Sequence, residues 1–141
     1  MQIQQVAPDK VRLVWGVVRR ECEKLLKRFP DEWIPEELFS DLVYTPPKAS
    51  LFVLNDTEIR GFFVVEVVTD KRSSRKFLNV WVLCAIGNAK QHRAEILAYL
   101  DRLAKDCGCV EIQYRTARKG WAKAMTGDFE VKTYVLARAV K

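Results

Sequence analysis

The most regular pattern of hydrophobic and polar residues in this chain lies between Lys76 and Tyr114. It opens with an apolar run, Phe77–Ile86, which has the length and composition of a buried strand. A helical pattern follows, and Gly108 is placed to end that helix in the left-handed conformation. The segment Val110–Tyr114 then alternates with the period of a strand. Strand, helix and strand within about forty residues predict a βαβ unit with two parallel strands.

The helix predicted inside this unit spans Ala89–Cys107. Its apolar face consists of residues spaced three and four apart: Ile96, Leu97, Leu100, Leu103, Ala104 and Cys107. Ligands of sheets built in this way bind beyond the carboxyl ends of the strands. The loop Gly87–Arg93 is therefore the first place where a site is expected.

The rest of the chain predicts further strands and helices on both sides of this unit. Before it come a strand at Gln2–Val6, a helix from Pro8 to Phe29, a helix from Pro35 to Val43, and strands at Leu51–Leu54 and Ile59–Thr69. After it come a short helix at Lys119–Met125 and a closing strand at Val131–Val140. The order β-α-α-β-β-β-α-β-α-β predicts an α/β (α+β) fold with a mixed sheet, in one domain over residues 1–141.

Composition narrows the class of protein but not its partner. The 141 residues have the size of one domain, and 24 basic against 18 acidic side chains give a net charge of +6. That charge suits any polyanion: a nucleic acid, a nucleotide cofactor or an acidic protein. The four cysteines lack paired zinc-site spacing, and the chain shows neither a signal peptide nor an apolar run long enough to span a membrane. We expect a cytoplasmic protein with reduced thiols and no metal.

Two features carry a resemblance to a known superfamily. The spacing of Ile96, Leu100, Ala104, Gly108 and Ile112 resembles the central helix and following strand of the GNAT N-acetyltransferases, whose element order matches that of the whole chain. The segment Arg118-Lys119-Gly120-Trp121-Ala122-Lys123 resembles a segment of small GNAT-like proteins encoded by tailed bacteriophages. The resemblance implies a GNAT fold, acetyl-CoA as cofactor, an amine as acceptor and, for a phage protein, a place in the host cytoplasm.

The resemblance also implies where the cofactor contacts the chain. The implied residues lie at the end of the central strand, in the loop after it and in the later basic segment: Cys84, Ala85, Ile86, Gly87, Asn88, Ala89, Lys90, Gln91, Arg93, Arg118 and Trp121. GNAT enzymes hold the pyrophosphate with backbone N–H groups of a loop containing small residues. Here Gln91 and Arg93 occupy the small-residue positions, which is a departure from the superfamily pattern.

Catalytic residues are less clearly marked. Acyl transfer to an amine needs a base for the amine and often an acid for the leaving thiolate. Glu66 is the candidate base and Tyr134 the candidate acid, although a solvated glutamate and a packed tyrosine are the commoner outcomes on strands. Cys84 favours a core position over a nucleophile, and His92 favours a solvated helix start over a catalyst.

Basic residues gather where the two parallel strands end. One loop brings Lys90, His92 and Arg93, and the other brings Arg115, Arg118, Lys119 and Lys123. We expect Arg118–Trp121 to form one wall of the cleft, with Arg118 facing a phosphate-bearing ligand and Trp121 anchoring the short helix. Two hypotheses remain open: an acyl-CoA-dependent N-acyltransferase, or a GNAT-like scaffold without catalysis that binds a host protein or nucleic acid.

Overall fold

The computed structural model describes residues 2–30, 33–86, 92–115, 129–130 and 136–140. The strands in this part of the chain are β1 (Gln2–Val6), β2 (Ser50–Asn55), β3 (Ile59–Thr69), β4 (Lys76–Ala85) and β5 (Glu111–Tyr114). The helices are α1 (Val11–Arg28), α2 (Pro35–Val43) and α3 (Arg93–Asp106), and a short 3-10 turn at Pro8–Lys10 leads into α1.

The strands form a single mixed sheet in the order β1-β2-β3-β4-β5. The pairs β1–β2, β2–β3 and β3–β4 are antiparallel. The pair β4–β5 is parallel, with Phe77 opposite Glu111 and Val80 opposite Tyr114. The helix α3 lies between these two strands in sequence, so the βαβ unit and the α/β mixed-sheet class are confirmed. The parallel pair requires a crossover connection, and α3 supplies it.

Each face of the sheet is covered by different helices. The helices α1 and α2 bury Val18, Cys22, Leu38 and Leu42 against one face, which we call the α1/α2 face. The helix α3 buries Ile96, Leu100 and Ala104 against the opposite face, which we call the α3 face. Side chains of a strand alternate between the faces, so β3 has buried residues on both sides: Phe62 and Val64 under α1/α2, and Phe63 and Val65 under α3. Among the described residues, every fully buried side chain is apolar.

A β-bulge interrupts the pairing of β3 with β4. Val64 lies opposite Val82 and Val65 opposite Val80, so Trp81 is an extra residue on β4. Trp81 and Val82 both pack on the α1/α2 face, while Val80 and Leu83 pack on the α3 face. Because of the bulge, Val82 and Cys84, rather than Leu83, face α1 and α2 beyond Val80.

The strands β4 and β5 stay together over only part of β4. Within the described residues, their ladder ends at Val80 and Tyr114, whereas the pairing of β4 with β3 continues to Ala85. The bulge at Trp81 begins at the level where this ladder stops. β4 therefore extends five residues beyond its last pair with β5, and we call the edge of β4 beyond Val80 the cleft, because ligands of α/β sheets bind at this end of the strands.

The closing strand predicted at Val131–Val140 is wrong in its second half. Residues 131–135 lie outside the described residues, but Leu136 to Val140 have no strand structure. Leu136 and Val140 are 94% and 99% exposed, so the alternation of apolar residues there has no surface to pack on. Period-two alternation predicts a strand only when one face is buried. The short helix predicted at Lys119–Met125 lies wholly outside the described residues.

Gly61 allows β3 to approach the end of β4 closely. A Cβ atom at this position would lie 2.7 Å from the backbone oxygen of Cys84, which is closer than non-bonded atoms allow. Gly61 pairs with Ala85, and the next backbone contact is a hydrogen bond of 2.9 Å from Ile86 N to Arg60 O. The glycine therefore sets the distance between strands beside the cleft.

We expect Gly61→Ala to lower the free energy of unfolding by about 1–3 kcal/mol, since the methyl group must displace the backbone of β4. Gly16→Ala is the matched control, because a Cβ at Gly16 meets nothing within 4 Å on an exposed face of α1. That control should raise stability by about 0.5–1 kcal/mol. Urea denaturation of both variants measures the difference, and equal effects would contradict the close approach at Gly61.

Candidate functional site

The carboxyl end of β4 and the start of α3 are the two described elements on either side of the predicted cofactor loop. Cys84 is buried in the α1/α2 core, whereas Ala85 and Ile86 are half-buried. The predicted site residues Gly87, Asn88, Ala89, Lys90 and Gln91 lie outside the described residues. The chain is described again from His92, and α3 begins at Arg93. The predicted helix start at Ala89 lies outside the described residues, and the predicted helix is confirmed from Arg93 to Asp106.

The first turn of α3 combines a helix dipole with basic side chains. Arg93 is half-buried and its Nε atom is fully enclosed by the protein. His92 is 22% exposed, and its Nδ1 lies 3.6 Å from Oε1 of Glu95, which is 59% exposed. A cation at the positive end of a helix is unfavourable unless an anion is close by. This turn is therefore suited to an anion, and Glu95 supplies one negative charge on its exposed side.

Cys84 is a core residue, which is the interpretation that the sequence favoured. It packs with Cys22, Phe62 and Val82 in the core under α1 and α2. Burial, reinforced by the neighbouring Cys84, raises the pKa of the Cys22 thiol to about 12. A thiol in such surroundings stays protonated and is a poor nucleophile. None of the four cysteines forms a disulfide, and Cys107 is the exposed one.

A row of polar side chains crosses the sheet just below the cleft. Glu66 on β3 lies opposite Asn79 on β4, which in turn lies opposite Gln113 on β5. Asn79 Nδ2 donates a hydrogen bond of 2.8 Å to Glu66 Oε1, and Gln113 Nε2 donates one of 2.8 Å to Glu111 Oε2. All four side chains are half-buried. We call Glu66, Asn79, Gln113 and Glu111 the polar row.

The polar row belongs to the α1/α2 face. Leu78, Val80, Ile112 and Tyr114 pack on the α3 face, so the alternate residues Asn79 and Gln113 face the other way. The row sits one residue pair before the ladder of β4 and β5 ends. Among the described residues, it is the polar surface that adjoins the end of this ladder on that face.

An aromatic pair adjoins this row at the bulge. Trp81 is half-buried and contacts Trp33, which lies before α2, with ring centroids 5.8 Å apart and planes at 77°. Because Trp81 follows Asn79 by two residues on the same face, the indole lies between the polar row and the core under α1 and α2. The aromatic pair and the polar row therefore both lie on the α1/α2 face, beside the end of the β4–β5 ladder.

No protein-family model matches this chain, and no curated protein matches it. Solved structures are similar in fold. They include AAC(6')-Iy in complex with the bisubstrate analogue CoA-S-monomethyl-acetylneamine, with a TM-score of 0.70 and 16% identity over 99% of this chain and 97% of that one. The chain has the fold of the GNAT acetyltransferases.

Two further structures have the same fold along their whole length. An aminoglycoside acetyltransferase, meta-AAC0020, from an uncultured soil metagenomic sample in complex with sisomicin has a TM-score of 0.67 and 15% identity, covering 99% of this chain and 96% of that one. A tetramutant of the BH1408 protein from Bacillus halodurans has a TM-score of 0.73 and 13% identity, covering 99% and 100%. These identities are low enough that the likeness concerns the fold, and the predicted GNAT fold is confirmed.

In this GNAT fold, the predicted site residues fall into two groups. Among the described ones, Cys84, Ala85, Ile86 and Arg93 lie on the two elements that flank the cleft loop, and Glu66 lies in the polar row. Arg118, Trp121 and the candidate acid Tyr134 lie outside the described residues. Arg115, at the end of β5, is exposed. Lys119 and Lys123, predicted for the same basic rim, also lie outside the described part of the chain.

Sequence reasoning missed Asn79, Gln113 and Trp81. The signal for Asn79 was present, because it is the single polar residue inside an otherwise apolar run from Phe77 to Ile86. A polar residue at such a position needs a partner, but the partner is given only by the pairing of β3 with β4. The importance of Trp81 depends on the bulge, which has no local sequence signature.

No helix in the described ranges is long and apolar enough to cross a membrane. In those ranges, no three His, Cys, Asp or Glu side chains converge in a way that would hold a metal ion.

The buried Cys22 gives a pH dependence that can be measured. Its pKa is raised from 9.0 to about 12 by burial, so the unfolded chain loses this proton near pH 9 while the folded chain keeps it. The stability from the neutral buried thiol is present below pH 9 and is lost as the pH rises to about 12. We expect the free energy of unfolding to fall more steeply in the wild type than in Cys22→Ala, by up to about 1.4 kcal/mol per pH unit.

Cys107→Ala is the control for this pH dependence, since Cys107 is exposed. It should keep the wild-type slope in chemical denaturation between pH 8.5 and about 10.5. A Cys22→Ala slope equal to that of the wild type would contradict the burial of this thiol.

Proposed function

We propose that this chain is an acyl-CoA-dependent N-acyltransferase of the GNAT type that uses acetyl-CoA and an amine acceptor. The observation that carries the proposal is the end of the β4–β5 ladder, where β4 continues past β5 and is bulged at Trp81 within a GNAT fold. A neighbour with this fold, AAC(6')-Iy, was solved with an analogue that joins CoA to an acetylated amine compound. The neighbour supports the ligand class for this chain but does not identify the acceptor.

The described residues fit a CoA thioester in charge. Arg93 brings a cation to the positive end of α3, and Arg115 brings another to the end of β5. Arg93 occupies a position where the superfamily pattern has a small residue, but its Nε is enclosed by protein, so this part of the side chain is folded inward. In the proposal, Cys84–Ile86, Gly87–Gln91, Arg93, Arg118 and Trp121 surround the cofactor.

Bound acetyl-CoA would supply an activated acyl thioester. Attack by a neutral amine forms the amide bond, breaks the carbon–sulfur bond and releases one proton from the nitrogen. Glu66 accepts that proton in the proposal, since it is the carboxylate of the polar row on β3, adjacent to the strand that lines the cleft. Tyr134 is proposed as the acid that protonates the leaving thiolate. The Trp33–Trp81 pair narrows the same face and would exclude water from it.

A second candidate function rests on Arg93. A large side chain in place of a small one in the phosphate loop favours a GNAT scaffold that binds a protein or nucleic acid without catalysis. The net charge of +6 suits an acidic partner of either kind. The Arg118–Lys123 segment further supports a tailed-phage origin, with the acceptor or partner in the host cytoplasm. A binding-only scaffold would give no heat with acetyl-CoA, which separates the two candidates.

Calorimetric titration of acetyl-CoA tests the cofactor and the role of Arg93 together. We expect Arg93→Ala to weaken binding by about 10–100-fold, because a charge-assisted hydrogen bond to a phosphate oxygen is lost. Arg102→Ala removes the same group from the same helix, about 13 Å further along, and should change the affinity by less than about twofold. Equal affinity of Arg93→Ala and the wild type would remove Arg93 from the site.

The catalytic role of Glu66 is tested by Glu66→Gln. We expect kcat to fall by about 100-fold or more, with KM for acetyl-CoA and the melting temperature nearly unchanged, since the amide keeps the shape but accepts no proton. Glu58→Gln is the matched control, because Glu58 is an exposed carboxylate that pairs with Arg60 at 3.1 Å beside the turn between β2 and β3. Full activity of Glu66→Gln would contradict the proposed base.

A further inference from the structure

Asn79 is the polar residue on the cleft-lining strand that holds Glu66. Its Nδ2 donates to Oε1 of Glu66 at 2.8 Å, across the antiparallel ladder of β3 and β4. We propose that Asn79 is a positioning residue: it fixes the Glu66 carboxylate over β4 with the second oxygen directed to the acceptor amine. This inference rests on the proposed function, in which Glu66 accepts the proton from that amine.

The hydrogen bond explains how a glutamate on β3 can serve a cleft beside β4. A glutamate side chain has three rotatable bonds, so an unheld carboxylate on a strand samples many positions in solvent. The bond to Asn79 draws the carboxylate toward β4, the strand that continues along the cleft. Only Oε1 takes part in this bond. In the proposal, Oε2 is the oxygen that accepts the amine proton.

Among the described residues, the α1/α2 face is the side from which an acceptor can approach this carboxylate. On the α3 face, Val80 and Leu83 are buried under Ile96 and Leu100, so that side of the cleft is a closed apolar core. On the α1/α2 face, the polar row is half-buried and therefore reachable by solvent. An amine that enters over the α1/α2 face meets Glu66 and Asn79 at the level where β4 and β5 separate.

The polar row provides its own control. Gln113 also donates a 2.8 Å hydrogen bond to a carboxylate, but its partner is Glu111, two residues away on the same strand β5. Asn79 and Gln113 are neighbours in the sheet, have the same chemistry and are both half-buried. If Asn79 acts on catalysis only through general stability of the sheet, then Gln113 should act in the same way. If it acts through Glu66, only Asn79 should matter.

A double-mutant cycle on kcat separates these roles. The rates of wild type, Glu66→Gln, Asn79→Leu and the double variant are measured at saturating acetyl-CoA with the best of a panel of primary amines: a diamine, a polyamine, an aminoglycoside and a lysine-containing peptide. We expect Asn79→Leu to lower kcat about 10-fold in the wild type and by less than about twofold in the Glu66→Gln background. Gln113→Leu should change kcat by less than about twofold in either background.

A conservative variant guards against misfolding. Asn79→Gln keeps an amide donor and should restore at least part of the lost rate, whereas Asn79→Ser, which is smaller and tolerated more easily in a strand, should behave like Asn79→Leu. The melting temperature of each variant is recorded, so that kcat is compared only among folded proteins. Loss of rate in Asn79→Leu without rescue by Asn79→Gln would count against positioning.

The outcomes are distinguishable. Equal factors for Asn79→Leu in both backgrounds, or an equal loss for Gln113→Leu, would overturn the positioning role while the proposed function stands. A Glu66→Gln protein with wild-type kcat would remove the base and the positioning residue together. A wild-type chain that transfers no acetyl group to any amine of the panel would overturn the proposed function and this inference with it.

Discussion

The pairing of β3 with β4 is the constraint on which the rest of the structure depends. It is the long ladder of the sheet, running from Gly61 opposite Ala85 to Thr69 opposite Lys76. Its central residues are buried on both faces, so one ladder supports both the core under α1 and α2 and the core under α3. Stacked rings hold the neighbouring strand β2 to β3, since Phe52 of β2 and Phe63 of β3 lie nearly parallel 5.1 Å apart and Tyr99 of α3 packs on both by its edge. Loss of this ladder would separate the two cores.

The one irregularity of this ladder lies beside the cleft. A bulge increases the local twist of a strand, and here it lies at Trp81, beside the last residue pair of β4 and β5. The strand β5 is short and ends at Tyr114, while β4 is held by β3 to Ala85. Gly61 keeps β3 close to β4 in this last stretch, because the contact with Cys84 O leaves no room for a Cβ atom. On this stretch β4 is held by β3 on one side and, within the described residues, has no paired strand on the other.

How much of this could be predicted from the sequence depends on whether a feature is local. The βαβ unit was predictable because the 3.6-residue period of α3 and the stop at Gly108, whose φ is 73°, are local signals. The strand at residues 136–140 was mispredicted because its alternation has no burial behind it. The bulge could not be predicted, since it is a mismatch between two strands and leaves no mark in either. Glu66 could be chosen as a candidate from its strand position, but its partner Asn79 emerged only from the register.

The polar row departs from the residue preferences of a buried sheet. Glu66 and Asn79 are side chains of low strand propensity on a sheet whose fully buried described residues are all apolar. Valine at both positions would extend the apolar face and cost less desolvation, so packing alone does not account for an ionisable side chain here. The hydrogen bond between them offsets the desolvation free energy of their partial burial but does not make that burial stabilising. Departures of this kind concentrate at functional sites, because a site needs reactive groups where packing prefers inert ones. A carboxylate on a strand would not by itself indicate a site. Glu66 is connected to the cleft because the polar pair it forms with Asn79 lies where the β4–β5 ladder ends.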